Sequence, residues 1–490
     1  MEQARQTEPA WEMCLGVPIP ELEKLSLASA RPRRLRAWLE ALPISDPHRS
    51  APSLLTLLDE LARLRIDGRR RLALLEQVRP RVRQLAGTLE SRYLNLPLMP
   101  PERALEAAAL TRRLFQGLAS GYQSVARPLL GGRLSIPERQ AAATALQRAM
   151  DAHAQDIFLH MLLYNDPPEG TWKALHSLYA VAERHALETV TVADPELPGQ
   201  EGSILIAYAR LLLTASAQPN QLRQPALMAL YRAAAHWARW LPLSVDAGDA
   251  PFLVDLQQDA GPLPVAASGN GTTLRYFDTR PLAAALAEDG PADRRRPLSD
   301  ILSHHLRWAW LGPRQRRLPR SPADGEMLLC LGLDAVHRRL GDEDDGEPLH
   351  RVHRIDHADG GYCLEWRGAT PAGLRAGVVL ALKPVEQGGW RVGEIRWVAW
   401  VGEAVRLGVA LLPETLRAVR ISAGDPRAWP APALLVPAPD GNPETLVVPT
   451  TGYRSGTRVT LWDGVPRDAR LGIRLAGSPD IVQYTLRPAG

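Results

Sequence analysis

The stretch Val405-Arg-Leu-Gly-Val-Ala-Leu411 alternates large apolar residues with arginine, glycine and alanine. A period of two places one set of side chains on a buried face of a strand and the other on an exposed face. Five further segments of strand character precede it: Met327–Leu331, Arg351–Asp356, Tyr362–Trp366, Val378–Lys383 and Trp390–Trp400. Because the segments are short and separated by Gly and Pro turns, they predict a six-stranded antiparallel β-barrel over residues 311–415.

The chain continues in the same style to its C-terminus, and a helical pattern, Ala335–Leu340, interrupts the barrel segments. Short alternating segments after residue 415 predict a second small β module over 416–490. These segments are Ala433–Pro437, Thr445–Pro449, Arg458–Trp462 and Ala469–Leu475.

The first half of the chain has the period of helices. Apolar residues recur at helical spacing, and Pro137 just after Ile136 suits a first helical turn. The predicted helices are Arg33–Leu42, Ser53–Arg65, Glu102–Tyr122, Ile136–Tyr164, Leu175–Leu187, Ile204–Ala217 and Pro225–Leu241. They predict an antiparallel helical scaffold over 1–245; a tetratricopeptide-type solenoid remains an alternative, although no strict 34-residue period occurs.

Residues 246–310 predict a small connecting unit. Phe252–Leu256 and Thr273–Phe277 have strand character, and Pro281–Glu288 and Leu298–Trp310 are helical in pattern. With 490 residues the chain is too long for one hydrophobic core. We therefore expect an α+β multidomain protein: the helical scaffold, this connecting hairpin and its helices, the barrel and the C-terminal β module.

Composition excludes several classes of protein. Apolar residues make up 45% and charged residues 23%, as in folded proteins. No run of 18 residues is apolar and free of charge, so no membrane-spanning helix is expected. The segment from Met1 to Trp11 has no apolar core of a secretory signal, so we expect the chain to stay in the cytoplasm. The three cysteines, Cys14, Cys330 and Cys363, lie far apart and predict neither a zinc site nor a disulfide framework.

Basic residues are almost all arginine. Only Lys24, Lys173 and Lys383 are lysines among the 58 basic residues, so 55 are arginine. This bias fits a GC-rich bacterial genome, and it also fits recognition of anions or phosphates by the planar guanidinium. The net charge of +4 is small for this length, so nucleic acid is not expected as a partner.

One arginine-rich run precedes the first barrel strand. Arg314-Gln-Arg-Arg-Leu-Pro-Arg320 contains four arginines and no acidic residue. Pro319 disfavours helix at Leu318, so the run predicts an extended or turning loop. Arg316 and Arg320 form an R-x-x-x-R pair, which is either a candidate anion site or simply a solvated face.

A second motif joins two of the predicted strands. Asp356-His-Ala-Asp-Gly-Gly361 places a carboxylate at a strand end beside Gly360 and Gly361. Glycine permits positive φ and close approach of the backbone to a ligand. Taken alone, the same residues are more typical of a common Asp-Gly hairpin turn.

Together and in this order, the two motifs resemble the PilZ domain family over about residues 311–415. That family carries R-x-x-x-R before a six-stranded barrel and then Asp or Asn-x-Ser-x-x-Gly between two early strands. Arg316 and Arg320 match the first motif, and Asp356, Ala358 and Gly361 match the second, with Ala358 in place of serine. Later strands are also similar, including Val392-Gly-Glu-Ile-Arg-Trp397.

The resemblance implies a bacterial receptor for cyclic di-GMP. Arginine forks suit guanine O6 and N7 and also phosphate oxygens, while an aspartate can accept bonds from guanine N1–H and its amine. The ligand-binding residues implied are Arg316, Arg320, Asp356, Ala358 and Gly361, with Arg314, Arg317 and Gly360 as possible additions. We expect no catalysis, no metal and no cofactor beyond this ligand. The resemblance further implies an output in motility, pili or surface attachment, and we expect the helical half to relay it to an unidentified protein partner.

An alternative function is a protein-interaction adaptor whose barrel no longer binds nucleotide, because Ala358 lacks the serine hydroxyl. An enzyme is a weaker alternative. No Gly-x-Ser-x-Gly elbow occurs, and Gly269-Asn-Gly271 is not followed by the Gly-Lys-Ser/Thr of a phosphate loop.

His304 and His305, near two tryptophans on a predicted helix, favour packing or a surface position over a metal pair. Trp237 and Trp240, three residues apart on one helix, are both expected in the core.

Overall fold

A computed structural model describes residues 16–194, 201–265, 271–286, 298–312, 319–341, 348–386, 388–423, 430–438 and 443–489. It has the expected class, with a helical N-terminal array followed by antiparallel β-barrels. Among these residues, no helix has both the length and the apolar character needed to cross a bilayer.

The N-terminal array is built from helices that share one large apolar core. They are α1 (Pro32–Glu40), α2 (Pro47–Arg63), α3 (Gly68–Glu90), α4 (Glu102–Leu130), α5 (Ile136–Leu162), α6 (Thr171–Arg184), α7 (Ile204–Ser216) and α8 (Gln224–Trp237). A short hairpin, β1 (Val192–Ala193) and β2 (Glu201–Gly202), lies between α6 and α7. The predicted helices are all present, and α5 begins at Ile136 as expected.

Helix α3 was not among the predicted segments because charged residues lie on its buried side. Arg71 is buried and donates to the carbonyls of Leu61 (2.9 Å), Ser124 (3.0 Å) and Leu64. A guanidinium that satisfies three carbonyls can occupy a core position, which blurs the apolar period.

One tryptophan is not where the sequence predicted it. Trp237 is buried and meets Trp310 edge to face, with ring centroids 5.6 Å apart. Trp240 is 63% exposed, so its expected core position is wrong. Helix α8 ends at Trp237 and a 3₁₀ turn follows over Ala238–Trp240, which changes the direction of the side chains.

The connecting unit leads into the first barrel. It holds β3 (Phe252–Asp255), β4 (Leu263–Pro264) and β5 (Leu274–Phe277), then α9 (Arg280–Ala285) and α10 (Asp300–Ala309). Trp310, just after α10, is fully buried. Its indole Nε1 donates to the Leu213 carbonyl (3.2 Å), and its own carbonyl accepts from Thr279 Oγ1 (2.6 Å). Trp310, which precedes the arginine run in sequence, is therefore anchored in the helical core.

The first barrel is closed by six strands. Its elements are β6 (Ser321–Pro322), β7 (Glu326–Leu331), α11 (Leu333–Leu340), β8 (His350–Ala358), β9 (Gly361–Arg367), β10 (Val379–Pro384), β11 (Arg391–Val401) and β12 (Ala404–Leu411). The ring order is β8-β7-β10-β11-β12-β9 with β9 returning to β8, and β6 is an extra short strand on β8. The alternation of Val405, Leu407 and Val409 is confirmed, since all three are buried in the barrel core.

The helical array covers this barrel core. Leu98, Met99 and Tyr164 pack against it. The Met99 amide donates to Thr370 Oγ1 (3.1 Å), and the Trp400 amide donates to the Tyr164 carbonyl (2.7 Å). Barrel and helices are thus joined by backbone bonds as well as by apolar contacts.

The C-terminal module is a second closed barrel, with order β13-β14-β15-β18-β17-β16. Its strands are β13 (Arg417–Ser422), β14 (Ala431–Val436), β15 (Thr445–Pro449), β16 (Arg458–Asp463), β17 (Val465–Gly477) and β18 (Ile481–Pro488). Strands β13 and β18 were not among the predicted segments. An apolar cluster that includes Val336 of α11 joins the two barrels.

Candidate functional site

The two sequence motifs meet on the outside of the first barrel. Strand β6 pairs with β8, with Ser321 opposite His357 and Pro322 opposite Asp356. This pairing holds Arg320 beside β8, where its Nη1 donates to the Asp356 carboxylate. Both side chains are about a quarter exposed, at 24% and 26%. Two motif residues 36 positions apart in sequence are therefore in direct contact.

Only part of the arginine run can be described. Arg320 is visible, whereas the predicted residues Arg314, Arg316 and Arg317 lie outside the described residues. Their assignment to the site stays a prediction from the R-x-x-x-R pattern.

The second motif forms the hairpin between β8 and β9. Ala358 pairs with Gly361 across a turn, and the Gly360 carbonyl accepts a bond from the Leu411 amide (2.9 Å). A Cβ on Gly361 would overlap the Val409 carbonyl oxygen of β12. Glycine is therefore needed at 361 because two strands approach each other closely there. The sequence had predicted close approach of a ligand, not of a strand.

A row of directly opposed residues runs across the barrel from the carboxylate. Asp356 lies opposite Cys363, Cys363 opposite Gly408, and Gly408 opposite Trp397. Opposed residues share one face of a sheet, and three strand spacings span about 14 Å. A Cβ on Gly408 would overlap the Trp397 indole, so the indole lies over the glycine. Small residues thus form a floor with a carboxylate at one end and an aromatic ring at the other.

The sequence places Trp397 in a predicted strand and does not predict it as a site residue. The signal that could have found it is Gly408, because a glycine inside a strand often marks the close approach of another group.

Burial has the largest effect on the pKa of the Cys363 thiol. Burial raises the pKa of Cys363, Asp356 adds to the rise, and Arg320 and Arg406 oppose it. The thiol is buried, with 7% exposure. Because the thiolate is the nucleophilic form, this cysteine forms part of the floor and has no reactive character.

Beside the row, one acidic residue balances two arginines. Glu365 contacts Arg367 (2.7 Å) and lies 3.7 Å from Arg406 Nε. The Arg367 hydrogen bond is the main reason that the pKa of Glu365 is lowered. Arg406 remains 44% exposed next to the row, where its guanidinium can reach an anion.

The two histidines divide between the positions that the sequence favoured, since His305 is partly buried and His304 is exposed at the surface. His305 Nε2 lies 2.8 Å from the Ala217 carbonyl, and the Trp308 indole donates to His304 Nε2 (3.1 Å). Burial lowers the pKa of both histidines. Within the described ranges no group of three or more His, Cys, Asp or Glu residues could hold a metal ion.

Comparison with known proteins gives two family matches in order along the chain. Residues 33–248 match the model described as "Cyclic-di-GMP receptor FimW, N-terminal domain". Residues 251–345 and 339–416 match "Cyclic-di-GMP receptor FimW, middle PilZ domain". The chain is also 26% identical to the cyclic-di-GMP receptor FimW of Pseudomonas aeruginosa, over 97% of this chain and 94% of that protein.

Proposed function

This chain belongs to the PilZ-domain family, and on that premise we propose that it is a bacterial cyclic di-GMP receptor that relays the level of the second messenger to a protein partner. The observation that carries the proposal is the contact between Arg320 and Asp356, which brings the two motifs together. The relative named above is a receptor for this nucleotide, and the match covers nearly the whole of both chains.

Binding would exchange one set of charged partners for another. Arg320 and Asp356 satisfy each other in the structure. A phosphate or a guanine O6/N7 edge can replace the carboxylate on Arg320, while guanine N1–H and its amine can replace the guanidinium on Asp356. Neither partly buried charge is left unpaired, so the exchange avoids the cost of an isolated buried ion.

The row from Asp356 to Trp397 offers a surface for the base. Cys363 has a small side chain, and the Trp397 indole lies over Gly408 at the far end of the row. Stacking of a base on an aromatic ring contributes about 1–3 kcal/mol. We propose Trp397 as a contact of the ligand, together with Ala358, Gly360 and Gly361 at the hairpin.

Arg316 joins Arg320 in this proposal on the strength of the R-x-x-x-R pattern, and Arg314 and Arg317 are further candidates. The described residues on either side of this run are held in place. Trp310 is anchored in the helical core, and Ser321 is paired to β8 of the barrel. A ligand held by this run would contact both bodies, so its affinity can differ between their arrangements, as a relay requires.

The proposed setting is the bacterial cytoplasm, with an output in pili, motility or surface attachment and a partner bound through the helical half. No catalysis is part of the proposal. The alternative of a nucleotide-silent adaptor has two observations in its favour: Arg320 and Asp356 already pair with each other, and Ala358 offers no hydroxyl.

Calorimetric titration of the full chain with cyclic di-GMP separates the two functions. GMP and cyclic di-AMP serve as matched ligands, since one lacks the second nucleotide and the other lacks guanine. We expect saturable binding of cyclic di-GMP and at least tenfold weaker binding of both controls. A folded protein that takes up none of the three would favour the adaptor.

A further inference from the structure

An open groove lies in the helical half, away from the barrel site. It is bounded by the start of α2, the end of α3, the connector from Ser91 to Pro101 and the first half of α4, and its volume is ≈ 880 Å³. Most of its lining is apolar: Pro47, Leu89, Leu96, Ala104, Ala107 and Leu110. Ala104 and Ala107 are small residues of α4, and their size makes the groove deep enough for the side chains of another segment.

The rim of the groove is basic. Arg92, Arg103 and Arg113 line it and are exposed, against a single acid, Glu106. Among the residues that the structure describes, none of the three arginines pairs with a carboxylate. The nearest polar neighbour of Arg92 is His48, whose Nε2 lies 3.4 Å from Nη1. The positive charge of the rim is therefore not balanced within the described part of the chain.

The spacing of the rim charges indicates the kind of occupant. Arg103 and Arg113 are ten residues apart on α4, which corresponds to about 15 Å along the helix axis. One small anion cannot meet both, whereas carboxylates spaced along a helix can. An apolar floor between such charges suits the apolar face of that helix.

We propose that this groove binds an acidic amphipathic helix of a partner protein. Its leucine-type side chains lie on Ala104, Ala107 and Leu110, and its carboxylates pair with Arg103 and Arg113. The inference deepens the proposed function, since it rests on the relay to a protein and names the surface and the chemistry of the partner.

The groove is continuous with the contact between the helices and the barrel. Leu96 and Pro101 of the connector line the groove, and between them Leu98 and Met99 pack on the barrel core. The Met99 amide is bonded to Thr370 of the barrel (3.1 Å). An occupant of the groove therefore touches the same connector that packs on the barrel core.

Fluorescence anisotropy of labelled peptides with the full chain tests the proposal. The probes are 18-residue helices with leucines at i, i+3, i+4 and i+7 in several registers and glutamates on the flanks, each with a lysine twin. We expect at least one glutamate peptide to bind at least tenfold more tightly than its twin. We expect the Arg103→Glu/Arg113→Glu variant to bind the lysine twin more tightly than the glutamate peptide. Arg133→Glu is the control, because residue 133 is exposed and lies beyond the opposite end of α4.

Three results of the binding experiment would overturn the proposal. They are the absence of binding by every glutamate peptide, equal binding of the twins, and a double variant that behaves like the parent although circular dichroism shows it folded. Sedimentation of the same variants tests whether a second copy of this chain occupies the groove. If the double variant abolishes a self-association of the parent, the groove holds a second copy of this chain and the proposal is wrong. Cyclic di-GMP titration of each sample keeps failure of the receptor function separate from failure of the groove.

Discussion

The two barrels have the same ring of strands. In each, the first strand pairs with the second and fourth, the third with the second and sixth, and the fifth with the fourth and sixth. They differ in whether the outer face of their second and third strands is exposed or buried. In the first barrel that face carries Asp356 and is partly open, with Arg320 beside it. In the second it carries Leu434 and Val447, which are buried against the first barrel and α11.

A closed ring of six strands is therefore not sufficient for a binding site. The outward side chains and the segment before the first strand determine whether a barrel can bind a ligand. That segment contains Arg320 in the first barrel, whereas in the second it is Pro413-Glu-Thr-Leu416, without arginine. We infer that one barrel presents the ligand face and the other uses the equivalent face to hold the molecule together.

The largest expected effect is on stability, and it distinguishes the two faces. Leu434→Ala should lower the free energy of unfolding by about 2–5 kcal/mol, because it leaves a cavity at a fully buried position. Asp356→Ala, at the partly exposed position of the second strand in the first barrel, should cost about 1 kcal/mol or less. Urea denaturation of the full chain measures both.

Ligand affinity should show the opposite pattern in this pair. Leu434→Ala should bind cyclic di-GMP like the parent in its folded fraction, and Asp356→Ala should bind it more weakly. If Asp356→Ala instead melts far below the parent and keeps its affinity, the aspartate only shapes the turn.

The next largest effect is on affinity at the arginine motif. Arg320→Ala and Arg316→Ala should each weaken cyclic di-GMP about ten- to hundredfold, since a hydrogen bond to a charged group contributes about 1.5–3 kcal/mol. Calorimetry measures the change. Arg417→Ala is the control, because it removes an arginine from the first strand of the second barrel, where it pairs with Asp463 (3.1 Å). Variants at 316 and 320 that bind like the parent would contradict the site.

A third test concerns the aromatic end of the row. Trp397→Ala should weaken the ligand by about 1–3 kcal/mol through lost stacking. Gly408→Ala should have a smaller effect in the same direction, because the new methyl group displaces the indole without removing it. The control is Trp462→Ala, which removes a 45% exposed tryptophan from the second barrel. Equal affinities of parent and Trp397→Ala would exclude the ring from the site.

Local pattern predicted most of the strands, and long-range pairing explains what it missed. Thr445–Pro449 has the predicted bounds because Leu446, Val447 and Val448 form one short apolar run, and all three are buried. Strand β18 closes the second barrel by pairing with β15 and β17, a relation that no local window contains. The same holds for the site. The order of the motifs indicated the family, but the contact of Arg320 with Asp356 depends on the two-residue strand β6, which has no sequence signal of its own.

The smallest expected effect is a pH dependence at the junction of the second barrel. Asp480 lies in the turn before β18. Its carboxylate accepts hydrogen bonds from Nη1 (3.0 Å) and Nη2 (2.6 Å) of Arg223 in the helical half. Arg223 Nε also donates to the Ala376 carbonyl of the first barrel (2.9 Å), and Arg375 lies 3.3 Å from Asp480. One carboxylate of the second barrel thus connects all three bodies.

Burial by itself would raise the pKa of Asp480, but the bonds and charges of Arg223 and Arg375 outweigh it, so the pKa lies below its ordinary value. A carboxyl group with a lower pKa in the folded state contributes stability above the unfolded pKa, about 3.9, and loses it as pH falls further. We therefore expect Asp480→Asn to unfold at lower urea than the parent at pH 7 and the two midpoints to converge towards pH 3. Midpoints that stay equally far apart at every pH would show that Asp480 acts only through packing. The charge of its carboxylate would then not stabilise the junction of the second barrel with the other two bodies.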